Sequence, residues 1–284
     1  MIKLESKACN INYKDSLCYV TFKNLEKCGN VRHAFSTRMG GVSIGQFSTM
    51  NLSFTVGDNP EAVRKNYRIL CHAVGIHSSN VVLTAQTHTD NILTVNKSYC
   101  AMGIYKPLIY RDVDALITNV PEVALCGHGA DCPVILFNDP VRNVIAVAHA
   151  GWRGTVKEIA RKTVNKMRDV YGCKPQNIVA AISPSIGPCC YEVDETVYNE
   201  FLKLYYLPLD AVFTAKENGK YMLNLWQANK LILIEAGLKP ENIDLPDLCT
   251  RCNSGAFHSH RATNGRRGGN GGIIELIPKN RFPN

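Results

Sequence analysis

Short apolar runs separated by turn residues fill the middle of the chain, and they limit its possible folds more than any other feature. The runs are V-A-L-C, P-V-I-L-F and V-I-A-V-A-H-A, with a predicted turn at Asn138-Asp139-Pro140 between the last two. Such runs are typical of central strands in a sheet that is covered on both faces. The pattern therefore predicts a β-hairpin near the centre of a well-covered sheet.

Segments with helical periodicity lie on both sides of these strands. Asn59 is suited to cap a helix that begins at Pro60 and ends at Gly75, with apolar residues at helical spacing between them. Further helices are predicted between Gly154 and Gly172, near residues 194–206 and near residues 224–236. The mixture of hairpins and helices predicts an α+β fold, with mixed β-sheets flanked by helices, in a single domain over residues 1–284.

Composition and charge narrow the class of protein. The net charge of +8 is spread along the 284 residues, so it suits an anionic substrate such as phosphate and is too diffuse to indicate nucleic acid. The chain has no apolar run long enough to cross a bilayer, and its first residues lack the apolar segment of a secretion signal. We therefore expect a cytoplasmic protein, a monomer or a homodimer, whose 12 cysteines are mostly reduced.

Three side chains along the chain could bind one metal ion. Cys132 precedes the first strand of the predicted hairpin and His149 ends the second, so a tight turn would bring them to one end of the sheet. His88, at the end of a predicted strand over residues 81–88, is the third candidate. A thiolate with two imidazoles suits Zn²⁺ better than copper, and catalytic zinc sites typically have three protein ligands and an open fourth position.

Spacing alone leaves simpler alternatives open for these residues. A histidine at a strand end is more often a satisfied polar residue, and a cysteine in a strand is more often part of the core. Asp131, next to Cys132, is predicted to orient His149 or to act as a general acid or base. A role as a turn residue is an equal alternative for Asp131.

Arginines near three loops or helix starts are candidates for binding an anion. Arg38 lies in the segment S-T-R-M-G-G-V-S, where Ser36 and exposed N–H groups could also contact phosphate. Arg64 is near the start of the helix that begins at Pro60, and Arg153 precedes the next helix. Each arginine could instead be a solvated or salt-bridged surface residue, and Arg38 is the strongest candidate.

Motifs near the end of the chain have structural alternatives. Cys249-x-x-Cys252, followed by F-H-S-H-R, resembles half of a zinc finger, but no partner pair follows at a suitable distance. The adjacent Cys189 and Cys190 are expected not to chelate one ion together. The segment R-A-T-N-G-R-R-G-G-N-G-G resembles an RGG-type nucleic-acid tail, although a glycine-rich loop at the active site or surface is favoured because a strand follows it.

Sequence blocks along nearly the whole chain match the motifs of one known family. They include S-T-R-M-G-G-V-S, N-L-S-F-T-V-G-D-N-P, Q-T-H, D-V-D-A-L-I-T, A-D-C, A-V-A-H-A-G-W-R-G-T and P-S-I-G-P-C-C-Y-E-V. They lie over residues 31–276 in the order that they have in the YfiH family, which the chain therefore resembles. Members are described variously as multicopper polyphenol oxidases or laccases, as peptidoglycan editing factors and as purine nucleoside phosphorylases.

The resemblance implies a zinc site formed by His88, Cys132 and His149 in a fold of mixed sheets. It further implies phosphorolysis of purine nucleosides (adenosine, inosine, guanosine and methylthioadenosine) with some adenosine deamination. The residues that we assign to binding of nucleoside and phosphate are Ser36, Arg38, Asn51, Arg64 and Arg153. The block ending in Cys132 reads G-A-D-C where the family usually has T-A-D-C, which leaves the substrate preference open.

Three other functions remain as alternatives. A polyphenol oxidase would need many histidines for several copper ions, whereas this chain has eight, with one His-x-His pair at His258 and His260. A peptidoglycan-precursor-editing amidase would use Cys132 as its nucleophile and His149 as the base. A binding module stabilised by zinc, without catalysis, is the third alternative.

Overall fold

The computed structural model describes residues 3–278, and its strands form two large sheets and a small third one. The first sheet has the order β1 (Cys9–Lys14), β2 (Leu17–Phe22), β3 (Val31–Ser36), β15 (Asn270–Leu276), β7 (Ala124–Gly129) and β4 (Val81–Leu83). The second has the order β14 (Ile243–Asp244), β10 (Val179–Ile182), β8 (Val134–Asp139), β9 (Val144–His149), β6 (Ala115–Thr118) and β5 (Ile92–Thr94). The small sheet is β11 (Glu192–Val193), β13 (Tyr221–Leu223) and β12 (Phe213–Ala215).

Both large sheets are mixed, as the sequence predicts. β4 runs parallel to β7, β5 to β6 and β10 to β14, whereas the other neighbours in these sheets are antiparallel. The helices are α1 (Lys23–Cys28), α2 (Pro60–Val74), α3 (Trp152–Val156), α4 (Ile159–Tyr171), α5 (Glu195–Phe201), α6 (Leu209–Val212), α7 (Leu225–Glu235) and α8 (His260–Thr263). Within residues 3–278, none of them combines the length and the apolar content needed to cross a bilayer.

Helix boundaries follow the capping residues that the sequence contains. The side chain of Asn59 accepts a hydrogen bond from the N–H of Glu61 and caps α2, and Gly75 ends this helix with a left-handed backbone. The helix predicted between Gly154 and Gly172 is divided into α3 and α4, because Glu158 adopts a left-handed conformation with φ of 59°. The capping signals were therefore sufficient for α2 but not for this interruption.

Successive side chains of the central strands point to opposite faces of the second sheet, so the core consists of layers. Val134 and Leu136 of β8 belong to the same core cluster as Phe35 of the first sheet. Ile135 and Phe137, on the opposite face of β8, cluster with apolar residues of α4 and α7. The buried face of α2 covers the outer side of the first sheet. The layers are therefore α2, the first sheet, the second sheet, and α4 with α7.

The predicted strand over residues 81–88 is shorter in the structure. β4 ends at Leu83, and the chain then bends so that the N–H groups of Thr87, His88 and Thr89 donate to the carboxylate of Asp114. His88 adopts a left-handed backbone with φ of 64°. A buried carboxylate thus replaces a neighbouring strand as the partner of this backbone.

His33 in β3 makes the stability of the fold depend on pH. Its ring is buried, and Nε2 accepts a hydrogen bond of 2.8 Å from the Phe22 N–H, which requires that nitrogen to be unprotonated. Burial lowers the pKa of His33 from 6.5 to about 4. Between these values the unfolded chain binds more protons than the folded one, so this group destabilises the fold as the pH falls from 6.5 towards 4.

We expect His33→Gln to reduce the pH dependence of the unfolding free energy in this window by up to about 1.4 kcal/mol per pH unit, because one fewer proton is linked to unfolding. Urea denaturation at a series of pH values measures the slope. His72→Gln, which changes an exposed histidine of α2, is the matched control and is expected to retain the wild-type slope. Identical slopes in the two variants would contradict the role given to His33.

Candidate active site

The hairpin of β8 and β9 brings Cys132 and His149 to one edge of the second sheet. Val134 at the start of β8 pairs with His149 at the end of β9. The N–H of Ala150 donates to the carbonyl oxygen of Pro133 at 2.8 Å, so the pairing continues beyond both strands towards Cys132. The hairpin that the sequence predicts is present, and its register places the thiol beside the imidazole.

Three candidate ligands converge beside this hairpin. The sulfur of Cys132 and the ring nitrogens of His88 and His149 lie within 4.8 Å of one another, and the two ring centroids are 4.8 Å apart. His149 is buried, Cys132 is half-buried and His88 is exposed, so the group lies at a wall that solvent can reach. The structure therefore brings together the three side chains that the sequence selected.

Asp114, which the sequence analysis did not select, holds both histidines. Its Oδ1 accepts hydrogen bonds from Nδ1 of His149 at 2.8 Å and from the His88 N–H at 3.1 Å. Its Oδ2 accepts from the N–H groups of Thr87 at 3.0 Å and Thr89 at 2.9 Å. Because Asp114 engages Nδ1 of His149, Nε2 is the nitrogen available to a metal ion, an arrangement common among metal-binding histidines.

The charges of this group are strongly coupled. Burial alone would raise the pKa of Asp114, but the hydrogen bonds from His149, Thr87 and Thr89 outweigh it and lower the pKa to about 2. Burial alone would lower the pKa of His149, but contacts with Asp114 and Cys132 raise it to about 9. Burial and the neighbouring His149 lower the pKa of His88. A metal ion that binds here must therefore displace a proton from His149.

Asp114, rather than Asp131, is the carboxylate on His149, and this corrects one predicted role. The carboxylate of Asp131 accepts hydrogen bonds from Oγ1 of Thr250 and from the N–H of Arg261, both at 2.6 Å. Its carbonyl oxygen accepts from the Ile186 N–H at 2.9 Å. Asp131 thus joins two distant segments to the backbone next to Cys132.

Gly151 leaves room for the ligands. A Cβ atom at this position would lie 2.9 Å from Sγ of Cys132 and 3.1 Å from Nδ1 of His88. Both distances are shorter than ordinary van der Waals contacts, so a side chain would displace the ligand atoms. The glycine of H-A-G-W-R-G-T therefore lets α3 begin directly against the candidate metal site.

A cavity of about 590 Å³ opens onto the three ligands. This volume is typical of binding sites for small molecules. One part of the wall is apolar or aromatic and includes Phe54, Leu83, Leu108 and Tyr110. Polar and charged residues line much of the rest, and they include Ser53, Thr55, Thr84, Gln86, Thr87, Arg111, Asp112, His128 and Arg267. The cavity can accommodate a ligand that is partly apolar and partly anionic.

Ser36 and Asn51, both predicted to bind substrate, are buried and hydrogen-bonded inside the protein. The hydroxyl of Ser36 accepts from the N–H of Gly271 at 2.9 Å. Asn51 donates to the carboxylate of Asp58 at 2.9 Å and accepts from the N–H of Gly269 at 2.8 Å. Neither side chain lines the cavity, so their assignment to substrate stays a prediction, and their observed contacts are with the loops of the protein itself.

Arg38 and Arg64 also donate to the protein itself. Arg38 donates from Nε to the carbonyl oxygen of Ser48 at 2.8 Å and from Nη1 to that of Ser254 at 3.1 Å. Arg64 donates from Nε to the carbonyl oxygen of Ile104 at 2.9 Å. Neither guanidinium lines the cavity, so their assignment to phosphate stays a prediction that the lining of this cavity does not support. The carbonyl oxygens of Ser254 and Ile104 come from distant loops, which local sequence does not reveal.

Arg267 is better placed than Arg38 to bind an anion. It lines the cavity, and its buried Nε has no hydrogen-bond partner within residues 3–278. Arg153 does not line the cavity; it lies on α3, with its guanidinium 4.3 Å from the ring of Trp152. Arg267 belongs to the R-R-G-G-N-G-G loop, which the sequence analysis predicted to lie at the active site or at the surface.

His128 is a further wall residue that the sequence analysis missed. Its Nε2 lies 2.5 Å from the hydroxyl of Tyr67, and its N–H donates to Oε1 of Gln86 at 2.7 Å. Burial lowers the pKa of His128 to about 4, so the ring is neutral near pH 7. A neutral imidazole at the cavity can serve as a hydrogen-bond partner for a ligand.

Comparisons with known proteins cover most of the chain. A family model described as multi-copper polyphenol oxidoreductase laccase matches residues 32–277. A protein from Bacteroides thetaiotaomicron named purine nucleoside phosphorylase is 34% identical over 241 residues, which are 84% of this chain and 89% of that one. A protein from an unknown prokaryotic organism named adenosine deaminase RL5 is 33% identical over 230 residues, which are 80% and 87% of the two chains.

A solved structure supports the same grouping. The crystal structure of Bacillus licheniformis hypothetical protein YfiH superposes with a TM-score of 0.88 at 31% sequence identity. The superposition covers 94% of this chain and 98% of that one. The α+β fold with mixed sheets flanked by helices is therefore confirmed by a protein of known structure.

Proposed function

This chain belongs to the YfiH family, and we propose that it is a zinc-dependent purine nucleoside phosphorylase with adenosine deaminase as a side activity. One observation carries the proposal. A thiol and two imidazoles converge within 4.8 Å at the wall of a cavity that has an apolar part and a cationic part. The names of the relatives, purine nucleoside phosphorylase and adenosine deaminase, agree with it.

The donor set at the site favours zinc. One thiolate and two imidazoles are ligands that Zn²⁺ prefers, and Asp114 engages Nδ1 of His149, which would leave Nε2 for the ion. Cu²⁺ is disfavoured because a free thiolate tends to reduce it. When bound, zinc would supply positive charge beside a substrate oxygen and would lower the pKa of a bound water molecule.

The cavity wall offers separate places for the two substrates. Phe54, Leu108 and Tyr110 provide apolar surface against which the ring of adenosine, inosine, guanosine or methylthioadenosine can pack. The guanidinium of Arg267, which lines the cavity, can supply positive charge and N–H donors to a phosphate oxygen. Arg153 adds positive charge at the start of α3.

The two reactions make different demands on these residues. In phosphorolysis a phosphate oxygen bonds to the anomeric carbon as the bond to the purine nitrogen breaks, and the purine leaves with the electron pair. Arg267 would hold the phosphate in line and offset its charge as the ribose becomes cationic. In deamination water adds to C6 of adenine and ammonia leaves. Both reactions use the same cavity, so one site can support both activities.

Incubation with inosine, with and without phosphate, tests the proposal. We expect hypoxanthine and ribose-1-phosphate to appear only when phosphate is present, and both to be lost in His88→Ala because a metal ligand is removed. His77→Ala, which changes an exposed histidine, is the matched control and should retain activity. Free ribose formed independently of phosphate, or full activity in His88→Ala, would refute the assignment.

A second arm of the same experiment examines phosphate binding. Arg267→Met should raise the KM for phosphate by about 10- to 100-fold, because a hydrogen bond to a charged group contributes about 1.5–3 kcal/mol. Arg266→Met, at the neighbouring exposed position, should leave this KM unchanged. Equal effects in the two variants would remove Arg267 from the proposed phosphate site.

A cysteine-dependent amidase is a second candidate, which one observation favours. Sγ of Cys132 lies within 4.8 Å of a ring nitrogen of His149, and His149 is bonded through Nδ1 to Asp114, so the three groups also have the order of a nucleophile, a base and an orienting carboxylate. Chelation of metal separates the candidates. Amidase activity would survive in metal-free protein and be blocked by alkylation of Cys132, whereas phosphorolysis would be lost on chelation.

A further inference from the structure

Four cysteines that lie far apart in the sequence meet outside the candidate active site. Cys189 and Cys190 lie between β10 and β11, and Cys249 and Cys252 follow β14. Their four sulfur atoms lie within 4.8 Å of one another. The sulfur of Cys252 is 3.6 Å from that of Cys189 and 3.4 Å from that of Cys190. Adjacency was expected to prevent Cys189 and Cys190 from sharing one ion, but the structure places both sulfur atoms where they could contact the same ion.

These distances are close to those of a tetrathiolate metal site. With Zn–S bonds of about 2.3 Å, the edges of a regular tetrahedron of sulfur atoms are about 3.8 Å long. Cys249 and Cys252 also have the C-x-x-C spacing that is frequent in structural zinc sites, and the other two thiols complete the set of four. Neither pair alone would provide enough ligands.

The backbone around Cys249 is arranged to receive a thiolate. The N–H of Gly187 donates to Sγ of Cys249 at 3.2 Å, and the N–H of Thr250 donates to the carbonyl oxygen of Ser185 at 3.0 Å. A side chain at Gly187 would collide with the ring of Trp226, 2.8 Å from a Cβ atom, so glycine permits this close approach. The two segments are thus held together by hydrogen bonds without any ion.

We propose that Cys189, Cys190, Cys249 and Cys252 bind a second Zn²⁺ ion as a structural site. Each thiol loses its proton on binding, and no electron is transferred. With four protein ligands the ion has no open position for a reactant, in contrast to the three-ligand site at Cys132. The ion cross-links the chain segments around residues 185–190 and 249–253.

This cross-link bears on the active site through Asp131. Thr250, between the two cysteines of the C-x-x-C motif, donates to the carboxylate of Asp131, and the N–H of Ile186 donates to its carbonyl oxygen. Asp131 directly precedes Cys132. Loss of the ion is therefore expected to lower the thermal stability and to loosen the wall behind Cys132 without removing a ligand of the active-site metal.

Metal analysis of the full chain, prepared with zinc under reducing conditions and dialysed, tests the proposal. We expect Cys249→Ser/Cys252→Ser to contain one zinc ion fewer per chain than the wild type. His88→Ala/Cys132→Ala should keep the ion at the cysteine cluster, and Cys100→Ser, which changes a half-buried cysteine elsewhere, should match the wild type. The comparison remains valid even if the active-site residues hold no zinc, so it is independent of the proposed function.

Cobalt substitution and intact mass give independent readouts. Co²⁺ bound in His88→Ala/Cys132→Ala should show thiolate-to-cobalt charge-transfer absorption, which should be weakened in the same background by Cys189→Ser, a change at an exposed side chain that should not prevent folding. An unchanged zinc content in Cys249→Ser/Cys252→Ser would overturn the proposal. So would a mass lower by two hydrogens, since it would show a disulfide in the cluster instead of a metal site.

Discussion

Replacement of Asp114 with asparagine is expected to weaken zinc binding by about 10- to 100-fold and to reduce the proposed phosphorolysis with it. The two carboxylate oxygens accept from His149, from the N–H of His88, and from Thr87 and Thr89. An asparagine has an NH₂ group in place of one carboxylate oxygen, so this group would face N–H donors that now have an acceptor there. The imidazole of His149 would lose its fixed orientation, or the loop that carries His88 would lose its acceptor.

The same substitution should also destabilise the protein without metal. Each buried donor left without an acceptor costs about 1–3 kcal/mol. Competition with a chromophoric chelator gives the zinc affinity, and urea denaturation gives the unfolding free energy. These two measurements together separate an effect on the metal from a general loss of structure.

Two other aspartates provide controls for Asp114→Asn. Asp112→Asn changes an exposed carboxylate of the same cavity, which accepts from Oγ1 of Thr87, and should keep the wild-type zinc affinity. Asp131→Asn should lower the stability, since Asp131 joins Thr250 and Arg261, with a smaller effect on zinc. If Asp131→Asn weakened zinc binding as much as Asp114→Asn, the division of roles between them would be wrong.

The parts of the site that the sequence predicted are those that depend on local pairing. A turn between two apolar runs determines that Cys132 and His149 meet, because antiparallel pairing of β8 and β9 follows from their lengths and the turn. The boundaries of α2 likewise depend on Asn59 and Gly75, which act within one helical turn. Signals of this kind can be recognised without knowledge of the tertiary structure.

Asp114 could not be predicted in the same way, because three of its partners are backbone N–H groups, which any residue at positions 87–89 would supply. The hydroxyl of Thr89 also donates to Oδ2 of Asp114 at 2.9 Å, but a threonine in a loop does not by itself indicate a distant carboxylate. Asp131 was a more apparent candidate since it is adjacent to Cys132 in the sequence. Its side chain points to other partners because the chain turns at Asp131, where φ is 91°.

The exchange of Arg38 for Arg267 as the candidate anion site has a similar cause. Arg38 lies in a glycine-rich loop that suggests an anion, but its Nε and Nη1 already donate to the carbonyl oxygens of Ser48 and Ser254. Arg267 lies in an equally glycine-rich loop, and the Nε atom there is left without a partner in the described residues. The contact of Arg38 with Ser254 joins residues that are 216 positions apart, so the sequence around Arg38 does not show that this donor is engaged.

The cysteine cluster likewise depends on contacts between distant segments, and it lies next to the wall of the candidate active site. Cys189 and Cys252 are 63 positions apart, and the parallel contact of Ser185 with Cys249 brings their segments together. That contact also sets the position of Thr250 against Asp131. The wall behind Cys132 therefore depends on a long-range contact that neither segment predicts when it is considered alone.

Replacement of Gly151 with alanine is expected to weaken zinc binding by more than about 100-fold, beyond the effect of losing an outer partner of a ligand. The backbone of Gly151 has φ of −59° and ψ of 167°, which alanine adopts without strain, so the fold should persist. Its Cβ atom would nevertheless lie 2.9 Å from Sγ of Cys132 and 3.1 Å from Nδ1 of His88. If the sulfur moved away to relieve this contact, it would leave the place where it lies within 4.8 Å of both imidazoles.

Gly154→Ala is the matched control for Gly151→Ala, because the nearest atom to its Cβ would be the carbonyl oxygen of His149 at 3.2 Å rather than a ligand atom. Zinc affinity, phosphorolysis and the unfolding free energy of the metal-free protein should be measured for both variants. We expect Gly151→Ala to lose the first two and to keep the third, with a still larger loss of zinc in Gly151→Val. Wild-type zinc affinity in Gly151→Ala would show that the ion does not bind between Cys132 and His88.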